Sequence, residues 1–221
     1  MTGTQVILLG GGGHAQSLLA VLPEAGGRVI GYVDQAPTGL DAPYLGTDAA
    51  VLASGLAATA GCCVAVGLDV PLRRTLHERF RAAGFSFPAF AHPRAFVAAT
   101  ARLAAGTVLY PGVFLGTGVV LEENVHVCAG SVIEHGARLG AHTYVAPMAA
   151  VAGNVRLGPA CLVGISATIR DGLSVAEATT VGAAALLAHS VSEPGGVYVG
   201  VPARRREAQG RLGGPGETHA R

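Results

Sequence analysis

The chain has 221 residues with 15 basic and 14 acidic side chains, a balance that carries no electrostatic footprint for nucleic acid. Half of it is hydrophobic but only 5% is aromatic, with no Trp, so the core must be built from Ala, Val, Leu and Ile. The first residues lack a basic leader, and no apolar run reaches the roughly 18 residues that span a membrane, which points to a cytoplasmic protein.

Gln5–Gly10 is a short apolar run ending in glycine and reads as a buried parallel strand. Gly11-Gly12-Gly13-His14 follows, then a helix over 16–25. Arg28–Asp34 reads as a second strand and Cys62–Gly67 as a third, with a helix from about Val70 to Ala83. Strands alternating with helices at these lengths predict a small Rossmann-like βαβ domain over residues 1–90. Its glycine loop lets backbone amides and the following helix dipole approach a phosphate. Asp34 stands where such domains hold a ribose or a base edge. The domain is too short for two mononucleotide halves, so one nucleotide or nucleotide sugar is expected rather than NAD. His14 is a candidate phosphate donor or a helix cap. Asp69 and Arg73 are candidate nucleotide contacts, or simply an N-cap and a solvated charge.

The second half is governed by a period of six. Every sixth residue from Val97 to Leu187 is Val, Leu or Ile, sixteen positions without exception. Six residues of an α-helix turn through about 600°, which does not return to one face. A triangular prism of short strands does satisfy the period, so residues 91–203 are expected to form a left-handed parallel β-helix. Sixteen hexads make about five coils spaced ~4.8 Å apart. The residue two before each aliphatic is mostly small (Thr107, Ser131, Ala137, Thr143), as a crowded interior corner needs. Gly106, Gly112, Gly118, Gly130, Gly158 and Gly172 read as turn residues. Residues 204–221, opening with three arginines, read as a flexible tail. Cys62, Cys63, Cys128 and Cys161 show no CxxC spacing and read as buried reduced thiols.

The glycine loop Gly10–His14, the linker His92-Pro93-Arg94-Ala95, the hexads, Val132-Ile133-Glu134-His135 and the ending Gly195–Ala203 together carry a resemblance over about residues 5–205. The chain resembles the sugar O-acyltransferases of the sialic-acid O-acetyltransferase type. That family includes N-acetyltransferases that modify nucleotide-linked 4-amino sugars for bacterial glycans. The flat apolar faces of a three-sided prism make a cyclic homotrimer the natural closure, and the resemblance implies an acetyl-CoA-dependent acetyltransferase with acetyl-CoA lying between two prisms and no metal. It implies that His135 is the general base, taking the acceptor's proton as the thioester is attacked. It places Gly153 at the oxyanion, Ile165, Gly182 and Gly200 along the CoA channel, and Gly12, Gly13 and His14 at the phosphates.

Two departures stand out. Relatives often carry an acid directly after the base, where this chain has Gly136, and a second His where this chain has Tyr144. An unassisted base suits an amine better than a hydroxyl, which favours N-acetylation. O-acetylation of sialic acid or another sugar, and a catalytically weakened binding protein, are the alternatives. A zinc hydro-lyase built on His126, His135 and His142 would need those three to converge, and their spacing does not suit one tetrahedral site.

Overall fold

The aliphatic of each hexad points inward and the residue before it points outward, so the period of six winds the chain into a three-sided parallel β-helix. The computed structural model describes residues 3–206. Of the sixteen predicted inward positions, only Val97 and Leu103 in the first coil are partly exposed, and Leu109 to Leu187 are buried. Strands eighteen residues apart pair in register, as Val127 does with Leu109 below and Val145 above. The prism begins one hexad earlier than expected, at Phe90–Ala91, and its second wall stacks six strands, so it has about six coils rather than five.

Its walls differ in what they present outward. Wall 1 shows Phe90, Val108, His126 and Tyr144, all buried beneath the N-terminal domain. Wall 2 shows Phe96, Phe114, Val132, Ala150, Thr168 and Leu186, a mostly apolar face with none of the described residues packed across it. Phe96 is 57% exposed and stacks on Phe114 at 5.0 Å. Wall 3 shows Arg102, Val120, Arg138, Arg156 and Ser174, four of the five exposed.

A turn signal runs through the prism that the glycines alone do not reveal. Every sixth residue from 106 to 184 has φ between 54° and 73°, glycine or not. Six of these are Gly and eight are not, among them Asn124, Met148 and Asn154. Gly158 falls outside this register. It follows an inward leucine, where a Cβ would come within 2.6 Å of the Glu177 nitrogen in the next coil. Its glycine serves close coil stacking, not the turn.

The N-terminal domain is a parallel sheet of β1 (Thr4–Leu9), β2 (Gly27–Val33) and β3 (Gly61–Val64) in the order β2-β1-β3. Helices α1 (Gly13–Glu24) and α3 (Val70–Ala82) flank it, and a short α2 (Asp48–Leu52), not expected from the sequence, lies in the β2–β3 connection. The sheet and α1 share one continuous apolar cluster with the prism. At the far end, Val197–Val199 extends wall 1 and Arg204–Arg205 returns antiparallel to it. The first residues of the expected tail are therefore a strand, both exposed; residues 207–221 lie outside the described residues. All four cysteines are free and buried.

Candidate active site

Because β2 and β3 pair on opposite sides of β1, a crevice opens at the carboxyl end of β1, where the glycine loop sits. Gly11 is forced by its surroundings, since a Cβ there would press into the Tyr32 ring at 2.6 Å. Gly12 and Gly13 meet nothing within 4 Å and have no internal reason to lack a side chain. Both are exposed at the first turn of α1, so the space above them is open to a ligand. Asp34 accepts the Gly11 N–H at 2.8 Å and the Gln35 N–H at 2.7 Å, which makes it the post that holds the loop. It also lines a cleft of about 300 Å³ with Gly10, Gln35, Val66, Thr75 and Arg79.

α3 shows which of its residues can reach that cleft. Leu72, Thr75, Leu76 and Arg79 form one helical stripe and line it. Val70, Arg73, His77 and Phe80 form the buried stripe. Arg73, a candidate nucleotide contact or solvated charge, is neither; it is wholly buried between the domains. One terminal nitrogen donates to the Val66 carbonyl at 2.6 Å and the other to the Asn124 carbonyl at 2.9 Å, with the guanidinium over the Tyr144 ring. Burial lowers its pKa to about 10, so it stays charged, and among the described residues no carboxylate is bonded to it. Asp69 accepts the Leu72 N–H at 3.0 Å and is the α3 N-cap. Arg79 and Thr75 were missed in the sequence; the 3.6-residue period, applied to α3, would have found them. Truncating Arg73 to Leu should destabilise the protein by about 3 kcal/mol, because a buried and a half-buried carbonyl lose their donor. Chemical denaturation measures this, and a loss under about 1 kcal/mol would refute the strut.

His14 also turns into the interface. Its Nε2 lies 3.3 Å from the Tyr110 hydroxyl and 3.4 Å from His126 Nδ1, and its ring meets Tyr144 edge-on. Burial, then the Arg73 charge, lower its pKa to about 4, so it is a neutral group and no cation for a phosphate. The Tyr144 hydroxyl lies 3.1 Å from Cys128 Sγ.

His135 lies elsewhere, exposed in the corner between walls 2 and 3. Its ring rests on Gly153 one coil above; a Cβ on Gly153 would sit 2.6 Å from Nε2. Gly153 occupies a turn position whose N–H the coil ladder leaves over, and Pro111, Pro147 and Pro159 fill the same position elsewhere. Gly136 has φ +68°, and a Cβ there would meet Asn154 Oδ1 at 2.5 Å. An acid after His135 would therefore be strained and would displace Asn154. Ile165, Gly182 and Gly200 line up on the other corner, between walls 1 and 2, with Ile165 54% exposed. His126 on wall 1 and His142 at the corner before it do not approach the His135 corner, and among the described residues no cluster suited to a metal is present.

Residues 5–80 match the PglD N-terminal domain family. No curated protein matches the chain. PerB from Caulobacter crescentus, solved in complex with CoA and GDP-perosamine, is 30% identical over 94% of this chain and 99% of its own, with a TM-score of 0.86. The chain belongs to the hexapeptide-repeat sugar N-acetyltransferases. The acetyltransferase domain of PglB from Neisseria gonorrhoeae, also solved with acetyl coenzyme A, is 28% identical over 92% of this chain and all of its own, with a TM-score of 0.83. WeeI from Acinetobacter baumannii shares the fold at 18% identity. The chain is thus an acetyltransferase, and its two groups of candidate site residues stand on different corners of one prism.

Proposed function

We propose that this acetyltransferase moves the acetyl group of acetyl-CoA to the amine of a nucleotide-linked amino sugar, at a site completed by two chains of a homotrimer. The division of the site between two corners carries the reading. With wall 2 turned toward a threefold axis, the corner between walls 1 and 2 of one prism meets the corner between walls 2 and 3 of the next. Each cleft then pairs one chain's His135 and Gly153 with its neighbour's Ile165, Gly182 and Gly200. α1 lies on that neighbour's wall 1, beside Tyr110 and near the same corner, so its glycine loop faces the cleft too. The apolar wall 2 is buried by this closure and the arginines of wall 3 stay in water.

In this arrangement Gly12 and Gly13 hold the diphosphate through the α1 amides, and the cleft beside Asp34 takes the nucleoside. The acceptor amine attacks the thioester carbonyl, His135 Nε2 takes its proton, and the Gly153 N–H steadies the oxyanion. The tetrahedral carbon expels CoA thiolate, which receives a proton, leaving an amide. Support for an N-linked acceptor comes from the perosamine N-acetyltransferase of Caulobacter crescentus, whose histidine-to-alanine and histidine-to-asparagine variants were crystallised with CoA and GDP-perosamine.

Thiol release from acetyl-CoA, assayed against GDP-, UDP- and dTDP-linked amino sugars and free sialic acid, tests the activity. Release only with sialic acid would reverse the N-acetylation reading, and release with none would end it. Mixing tests the shared site. His135→Asn and Gly12→Trp chains, each inactive alone, should recover about a quarter of the sites when refolded together in equal amounts. A mixture no more active than its components would place the whole site in one chain.

A further inference from the structure

The turn register contains one residue whose presence neither packing nor backbone explains. Along the corner between walls 1 and 2, successive coils place Gly112, Gly130, Met148, Ser166 and Ala184 at the left-handed position. Four are small and Met148 is not. It has φ +61°, a conformation that disfavours any side chain, and it is 63% exposed. Its Sδ folds down over Gly130, 2.5 Å from where a Cβ on that glycine would be. No core gains from it.

Its height explains it. Coils of eighteen residues rise about 4.8 Å, so Met148, thirteen residues beyond His135, lies about 3.5 Å above it along the axis. The His135 ring leans up onto Gly153, a full coil above, and the Met148 side chain reaches down toward Gly130, below the His135 level. In a threefold ring the facing corners of neighbouring prisms set the Met148 side chain across the cleft from the His135 ring and below it. From this we infer that Met148 closes the acyl pocket beneath the partner chain's His135 and limits the transferred group to acetyl. The inference rests on the shared-site reading above. The reacting carbonyl must lie against His135, and the carbon beyond it then meets Met148. With glycine there, as at Gly112 and Gly130 below, the notch would lengthen and admit a longer chain.

Met148→Gly tests this without threatening the fold, since glycine relaxes the positive φ; Met148→Leu keeps the bulk. Titrating acetyl-, propionyl- and butyryl-CoA onto each protein by calorimetry gives a readout that needs no acceptor. The wild type and Met148→Leu should prefer acetyl- to butyryl-CoA by at least about tenfold, and Met148→Gly should lose about tenfold of that preference, in binding and in kcat/KM. An unchanged preference in Met148→Gly, with acetyl-CoA still bound, overturns the role of Met148 and leaves the proposed function standing. No binding of any thioester by the wild type removes the CoA reading itself, and this inference with it.

Discussion

Replacing His135 with Asn should lower kcat by about 100- to 10,000-fold while acetyl-CoA still binds. Asparagine keeps the polarity and much of the volume of the imidazole but cannot take the acceptor's proton. The side chain is exposed in a turn, so the melting temperature should not fall with it. Gly153 presents no side chain and gives the ring a flat seat, and among the described residues no side chain is hydrogen-bonded to it. Orientation must therefore come from the neighbouring chain or the acceptor. Steady-state kinetics with the best acceptor, beside a CoA titration, decide the matter. Turnover within about threefold of the wild type would remove His135 as the base.

Acid should separate the two domains. His14, His126, His77 and His142 all lie where the N-terminal domain meets wall 1 and its corner, and burial lowers the pKa of each. The Arg73 charge adds to the effect at all four, and His14 and His77 reach about 4. His126 is fully buried with Nε2 unpartnered, so a proton there would be a second unpaired charge beside Arg73. The folded protein binds these protons less readily than the unfolded chain. Their contribution is complete above the unfolded pKa of about 6.5 and is lost as the pH falls toward 4, by up to about 1.4 kcal/mol per pH unit for each group. Denaturant midpoints measured from pH 7.5 to 4.5 should drop steeply below 6.5. His126→Phe, which removes one of the titrating groups, should flatten the slope. A midpoint constant across that range would show that the interface admits protons freely.

How much of this was legible in the sequence depends on the range of the forces involved. The prism was, because its cross-section repeats locally and Leu109 or Val145 must point inward whatever lies far away. The left-handed turns were half visible. Gly130 and Asn154 announce such a backbone, whereas Ala160 and Ala184 adopt it only because the coils on either side impose it. Arg73 shows the opposite failure. Its place on the stripe of Val70, His77 and Phe80 was readable, but a charge invites a solvent reading, and its partner Asn124 is 51 residues away. The glycine loop was found by its composition. The direction of His14 was not, since it depends on how two separately patterned domains dock.

The return strand Arg204–Arg205 bears on how such a molecule grows. A solenoid ends in an open row of backbone donors and acceptors, a template on which another solenoid can continue. Here the chain doubles back, reverses the bonding direction and sets two exposed arginines along the edge of wall 1, one of them paired with Glu193. A second prism arriving end-on meets charge and an antiparallel strand where it would need a parallel one. Lengthwise growth along wall 1 is blocked, which favours association through the sides, where a ring can close.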